Sequence, residues 1–301
     1  MGGRSAEREI SLQTGAGVLS TLEQLGYDAF AADDDEHLID TLCERKPDAV
    51  FIALHGGAGE DGSVQALLDW LHIPYQGSGV RASAIAMDKW MFKAVMRAEG
   101  IPTPHAAVIE SAAIRAGTDA VPAGFEFPLV VKPAACGSSV GVHIVSEAAD
   151  WEPSLADAAS LDERLLVERY VCGREFTVAV LEDAALPVVE ITPNDESYSY
   201  AAKYTPGGST HRVPADLDPA MASRLQKFGL ALHRALGARD YSRVDVLLDN
   251  DGEPFVLECN TLPGLTRYSL FPEAAAAAGI DYAGLVDRLV KLALRRSAVA
   301  P

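Results

Sequence analysis

Arg239-Asp-Tyr-Ser-Arg-Val-Asp-Val-Leu-Leu248, Asp249-Asn-Asp-Gly252 and Pro254-Phe-Val-Leu-Glu-Cys-Asn260 read together as a β-hairpin. Two apolar, β-rich runs flank an Asn/Asp-Gly turn, a strong short-range hairpin signal. Side chains alternate across a strand, so Arg243 and Asp245 share one face while Val244 and Val246 point to the other. By the same rule Glu258 and Asn260 share a face, and Leu257 and Cys259 oppose them. Three oxygen donors, Asp245, Glu258 and Asn260, then converge beside a guanidinium. Such a set suits Mg²⁺, whose octahedral shell is completed by phosphates and water. A solvated strand face would account for one Asp–Arg pair. It would not account for four polar residues at this spacing within two otherwise apolar strands. The hairpin therefore predicts a magnesium–triphosphate site in an ATP-dependent enzyme.

Upstream, helix and strand alternate. Ile10 to Leu25 has helical apolar spacing and stops at Gly26. Ala49 to Leu54 is an apolar run suited to a buried parallel strand, Val64 to Leu71 a helix, and Ile73 to Gln76 a short strand. Asp88 to Glu99 reads as a helix, and Pro128 to Pro133 and Leu165 to Tyr170 as strands. Glu175 to Glu182 and Leu186 to Thr192 form a strand pair, and Pro219 to Leu236 and Ala283 to Leu294 are helices. Pro193 to Gly208 has no period, and a loop that long is usually functional.

The 301 residues suffice for two or three packed α/β units. A net charge of −18 repels nucleic-acid backbones, which excludes that class of partner. Apolar stretches are too short to span a bilayer. Met1-Gly-Gly-Arg4 lacks the pattern of a secretory leader, and the four cysteines form no CxxC pair, so the expected compartment is a reducing cytoplasm.

Beyond the hairpin, Lys132 ends an apolar strand and Lys89 opens a helix; each alone reads equally well as a surface lysine. Gly137-Ser-Ser-Val-Gly141 offers backbone N–H groups and two hydroxyls, as phosphate-covering loops do, although most such turns are only turns. No Walker motif is present. His55-Gly-Gly-Ala-Gly-Glu-Asp-Gly62 leaves the C-terminal end of an apolar strand, where α/β sites are built.

Taken in order, these segments resemble the D-alanine–D-alanine ligases of the ATP-grasp superfamily. The resemblance rests on Gly2 through Glu9, His55 through Gly62, Met87-Asp-Lys89, Lys132 through Gly141, Glu168 through Thr177, Tyr200-Ala-Ala-Lys-Tyr204, Arg243-Val-Asp245 and Glu258 through Gly264. It implies a three-domain α/β ATP-grasp fold. Residues 1–78 would form an α/β substrate domain with a parallel sheet, 79–168 a central domain, and 169–301 a catalytic domain carrying a lid at 193–208.

It implies roles as well. Lys89 and Lys132 would bind ATP phosphates beneath the loop bearing Ser139; Glu168, Arg169 and Val171 would hold the adenine edge and Glu175 the ribose. Asp245, Glu258 and Asn260 would carry two Mg²⁺, with Mn²⁺ as an alternative. Glu7 would take the ammonium of the first D-alanine, grouped with Ser138 and Tyr204, and His55 would lie beside it. Ser269 and the Leu270 backbone would hold the second carboxylate, Lys203 would reach the transferred phosphate, and Arg243 with the Gly264 N–H would form the oxyanion site. A homodimer, a cytoplasmic location and peptidoglycan precursor synthesis are the family expectations.

Three departures stand out. Relatives carry an apolar strand before the residues matching Gly2-Gly3, where here only Met1 stands, so the expectation is a missing first strand and a native start upstream. Cys136 beside the phosphate loop would make activity sensitive to oxidation, and Cys259 stands where small or aliphatic residues are usual. The Tyr200–Tyr204 stretch argues against a D-lactate-using relative; a ligase for D-alanine and D-serine, or for a specialised D-amino acid, remains a competing reading. A non-catalytic ATP-binding relative would lack a metal ligand or a phosphate lysine, and none is missing.

Overall fold

The hairpin forms, and it lies at one end of a larger sheet. The computed structural model describes residues 1–117, 120–193 and 208–297. In chain order the helices and strands begin with α1 (Arg8–Gln24), α2 (Leu38–Arg45), α3 (Ser63–Trp70), α4 (Val80–Met87) and α5 (Lys89–Ala98). Then come β1 (Ala106–Glu110), α6 (Ser111–Arg115), β2 (Leu129–Pro133), β3 (His143–Val145), α7 (Trp151–Ala159) and β4 (Arg164–Arg169). The last part holds β5 (Gly173–Leu181), β6 (Ala184–Ala185), β7 (Val189–Pro193), β8 (Ser209–Arg212), α8 (Pro219–Leu236), β9 (Tyr241–Asp249), β10 (Pro254–Asn260), α9 (Leu270–Ala277) and α10 (Tyr282–Ser297). Helix boundaries follow local chemistry. Asp88 ends α4 and caps α5 by accepting the Trp90 and Met91 N–H groups, and α8 opens on Pro219 behind Asp218 and ends at Gly237, whose φ is +66°.

Two antiparallel sheets result. The four-stranded sheet runs β1-β4-β2-β3, and the six-stranded one β10-β9-β5-β7-β8, with β6 beside β5. Each packs one face on helices, and the other face of the larger sheet is buried in part as well, where Leu181, Ile191 and Tyr241 meet Phe271 of α9 and Leu285 of α10. Behind the larger sheet Phe176, Val178, Val244, Val246 and Val256 pack with Phe92 and Met96 of α5 and Leu225, Leu232 and Leu236 of α8. Full burial of each such side chain contributes about 1.5–3 kcal/mol. Gly229 lets α8 approach closely, since a Cβ there would stand 2.7 Å from Val178. Behind the smaller sheet Leu129, Val131, Leu165 and Val167 pack on Trp151, Leu155 and Ala158 of α7.

The chain is α/β as expected, and its N-terminal part differs from the expected parallel sheet in extent. Among the described residues Ala49–Leu54 makes one parallel bridge, Val50 to Tyr75, rather than a ladder. The cause is visible one residue pair further on: the Gln76 side-chain amide takes both the N–H and the C=O of Ile52, each at 2.8 Å. A side chain thus supplies the hydrogen bonds that a backbone rung would otherwise make. Met1 donates to Ala32 and accepts from Asp34, the pattern of a single parallel rung.

A second correction concerns β10. Val256 pairs with Val246, yet Glu258 pairs with Asp245, so Leu257 is the extra residue of a β-bulge. Leu257 therefore does not alternate with Glu258 as simple periodicity requires. The bulge is what allows Val256 to face the core and Glu258 to face the site. No helix among the described residues is long and apolar enough to cross a membrane.

Candidate active site

On the face of the six-stranded sheet turned away from α8, register gathers the polar residues. Arg243 lies opposite Asn260, Asp245 opposite both Glu258 and Thr177, and Glu175 two positions along β5 from Thr177. Arg243 donates to both oxygens of Asp245, Nε to Oδ1 at 2.9 Å and a terminal nitrogen to Oδ2 at 2.8 Å. The Thr177 hydroxyl donates to Asp245 Oδ1 at 2.6 Å, so the carboxylate is held from two strands. Asn260 Oδ1 accepts the Leu262 N–H at 2.9 Å, and Glu258 Oε2 stands 3.6 Å from Lys89 Nζ. Among the described residues no three His, Cys, Asp or Glu side chains are grouped to hold a metal. Two carboxylates and the Asn260 amide make a small all-oxygen set on one face, which fits a hard cation that keeps other ligands from phosphate and water.

The four-stranded sheet carries the lysines. Lys132 and Glu168 lie on one face of neighbouring strands, with Lys132 opposite Leu166 and Glu168 opposite Val130. Lys132 Nζ is 2.7 Å from Glu168 Oε2. Lys93 of α5, unassigned by the sequence, lies 2.7 Å from Glu168 Oε1. Burial pushes the Glu168 carboxyl up, but the two ammonium groups outweigh it and leave its pKa below the usual range. Lys89 fixes the base of the glycine loop: its backbone N–H donates to Ala134 O at 2.9 Å and its Nζ to Cys136 O at 2.6 Å.

In that loop Ser138 and Ser139 both have left-handed backbone, φ +51° and +58°. Non-glycine residues adopt this region at a cost of roughly 1–2 kcal/mol each, which a functional turn can hold. Ser138 Oγ donates to Glu7 Oε1 in a short hydrogen bond. Glu7 is buried just ahead of α1, and a Cβ on Gly56 (φ +67°) would come within 2.5 Å of its other oxygen. The glycine of the His55-Gly-Gly stretch is thus required by both backbone and space. His55 is buried between Thr14, 3.0 Å from Nε2, and Glu60, 3.7 Å from Nδ1.

The opposite wall is the turn into α9. Gly264 packs on Ser269, where a Cβ would meet Oγ at 3.0 Å, and lies near His55. Ser269 Oγ accepts the Thr266 N–H at 3.1 Å, and Leu270 opens α9 at the cleft wall. His211 of β8 stands 2.8 Å from Glu273 of α9, an ion-pair geometry the sequence did not suggest.

A cleft of 1130 Å³ joins these parts, lined among others by His55, Lys89, Ser138, Arg243, Glu258, Asn260, Gly264, Ser269 and Leu270. Lys132 and Glu168 form the separate buried cluster already described. Ser139, Val171 and Glu175 are half-buried, and Arg169 is exposed with its backbone N–H bonded to His105 O. Lys203, Tyr204 and nearly all of the 193–208 lid lie outside the described residues. The expected reactivity of Cys136 is countered by burial, which, with Asp162 nearby, raises its thiol pKa. Burial pushes the Cys259 thiol up to about 12.

Lys93, Thr177, Glu60 and His211 were missed as site residues. Only Lys93 left a signal, its four-residue spacing from Lys89 on one helix face.

Two antiparallel sheets, with Lys89 and the glycine loop on one side of the cleft and Arg243, Glu258 and Asn260 of the larger sheet on the other, make this an enzyme of the ATP-grasp fold. The family model described as D-ala D-ala ligase C-terminus matches residues 95–291, and that described as D-ala D-ala ligase N-terminus matches residues 31–78. A D-alanine--D-alanine ligase of Synechococcus sp. (strain JA-3-3Ab) is 46% identical over 302 residues, covering 99% of this chain and 93% of its own. That of Gloeobacter violaceus is 45% identical over 294 residues, covering 97% of each. The solved D-alanine--D-alanine ligase of Bacillus anthracis complexed with ATP superposes with a TM-score of 0.84 at 33% identity, covering 99% of this chain and 97% of that one. The chain belongs to the D-alanine–D-alanine ligase family.

Proposed function

We propose that this enzyme joins two D-alanines into D-alanyl-D-alanine at the expense of ATP, supplying a peptidoglycan precursor. The observation that carries the reading is the meeting, in one cleft, of the Glu7–Ser138 pair and His55 with Lys89, Arg243 and Glu258. A carboxylate is a poor electrophile. Phosphoryl transfer from ATP to the first D-alanine carboxylate makes an acyl phosphate and releases ADP. Attack of the second amine on the carbonyl carbon then gives a tetrahedral oxyanion, which collapses with loss of phosphate. No enzyme nucleophile is needed; the protein supplies position and charge.

In this reading Glu7 holds the first ammonium, Ser138 orients Glu7, and His55, set between Thr14 and Glu60, lines the same pocket. Lys89 and Lys132 bind phosphates, and Arg243 stabilises the oxyanion with the Gly264 N–H. Ser269 and the first N–H of α9 receive the second carboxylate. Asp245, Glu258 and Asn260 would hold the two Mg²⁺, which when bound neutralise charge developing on the phosphates. Lys203 and Tyr204, in the 193–208 lid, complete the set and exclude water from the acyl phosphate. The division into segments 1–78, 79–168 and 169–301, a cytoplasmic location and a homodimer belong to the same proposal.

The test is phosphate release from ATP with D-alanine, D-serine, D-lactate or L-alanine, with each product identified by mass. D-alanyl-D-alanine is expected as the main product. A folded protein that makes none of it, or that prefers D-serine as second substrate, overturns the reading.

A further inference from the structure

Among the described residues Lys93 is the one cation that is fully buried, at 0% exposure, and it is not among the residues that line the cleft. Its ammonium donates to Thr103 Oγ1 at 2.6 Å and to Pro104 O at 3.0 Å, and stands 2.7 Å from Glu168 Oε1 as an ion pair. Glu168 gives its other oxygen to Lys132, so one carboxylate bridges two ammonium groups. A structural ion pair needs one cation, and an apolar replacement often serves stability as well. The second lysine leaves an excess positive charge in a buried place, and an arriving anion is what balances it.

We propose that Lys93 is a positioning residue for the nucleotide: it holds the Glu168 carboxylate, and through it the Lys132 ammonium, in the arrangement that receives the phosphates of ATP. The inference rests on the reading of Lys132 as a phosphate-binding residue. Helix α5 makes it geometrically natural. Lys89, one turn before Lys93, ties the glycine loop through Cys136 O, while Lys93 ties β4 through Glu168 and the Thr103-Pro104 segment ahead of β1. One rigid turn of helix thereby sets the loop above the phosphates and the lysine below them.

Burial, opposed by Glu168, lowers the Lys93 pKa to about 8. The charged groups acting on it are Glu168 on β4, Lys132 on β2 and Arg97 on its own helix. Above that pH Glu168 keeps Lys132 as its single cation and draws it away from the phosphates. Nucleotide affinity then falls. Stability of the free protein moves the other way: between about 8 and the unfolded value of 10.5 the unfolded chain holds more protons, so stability rises with pH. A lysine serving only the fold would couple to stability alone.

The experiment measures the Kd of ATP with Mg²⁺, without D-alanine, between pH 7 and 9.5, together with kcat and KM, for the full chain and for K93M, K93R and K132M. K132M is expected to weaken ATP binding; no change there sinks the reading of the site and the inference with it. K93M is expected to weaken ATP binding about tenfold while kcat stays within about threefold. K93R is expected to keep the affinity at pH 7 and to abolish the alkaline decline seen in the parent. Weakened binding in K132M with unchanged binding in K93M overturns the inference alone. Where K93M does not fold, the parent and K93R decide: no alkaline decline in the parent, or the same decline in K93R, overturns it.

Discussion

The two sheets obey the same alternation rule and use it oppositely. On the four-stranded sheet the polar pair Lys132–Glu168 is buried and closed on itself, with Lys93 as a third member. On the six-stranded sheet Arg243, Asp245, Glu258 and Asn260 are partly open to a cleft, and Asp245 is held by Arg243 and Thr177. The first set places charge in low dielectric, where geometry is costly to change. The second keeps carboxylates where water and ligands reach them. In the proposed reading one sheet fixes an anion's position, and the other holds cations and manages reacting charge.

Breaking the closed cluster has the largest expected effect. Glu168→Gln leaves two ammonium groups buried without a counter-charge and is expected to cost about 3–5 kcal/mol in chemical unfolding. The pH sign follows from the lowered Glu168 pKa: its stabilisation is present above the ordinary value of 4.5 and is lost as pH falls through the lower folded value. The melting temperature of the parent should therefore fall more steeply on acidification than that of E168Q. Equal slopes would show that the cluster contributes nothing by its charge.

Arg243→Ala tests the open set. It should lower kcat by about 10²–10³, the usual cost of losing one oxyanion donor, while ATP affinity stays close to that of the parent. An equal loss of ATP binding would move Arg243 to the nucleotide. Thr177→Val removes one hydrogen bond to Asp245 and should cost about tenfold in kcat, or roughly 1.4 kcal/mol, with little change in melting temperature. The smallest effect concerns Cys136. With its thiol pKa raised, treatment with iodoacetamide at pH 7 should leave activity near that of the untreated enzyme, and rapid inactivation would refute its protected state.

What could be read from the sequence was what alternation encodes. Arg243, Asp245, Glu258 and Asn260 fall on one face because strand periodicity is local. Helix α8 was bounded correctly because Pro219 and Gly237 mark its ends chemically. Strands β1 and β3 and helix α7 were not anticipated; their short runs have no distinctive period, and they form because the two strands pair along the edges of the four-stranded sheet and the helix covers its face. Lys93 is marked in the sequence only by its spacing from Lys89, and its burial depends on Glu168, 75 positions later in the chain. The Ile52–Gln76 exchange was hidden for a similar reason, since a glutamine standing in for backbone leaves no pattern.

The bulge at Leu257 bears on how such a strand can evolve. A strand has a two-letter reading frame, core and site, and Leu257 acts as an absorbed frameshift between Val256 and Glu258. Losing Leu257 would restore regular alternation without exchanging the two letters around it. Losing Cys259 would instead bring Asn260 to a core-facing position. The strand therefore tolerates a change of length at one point only, and lineages of this fold can be expected to vary there before they vary at either neighbour.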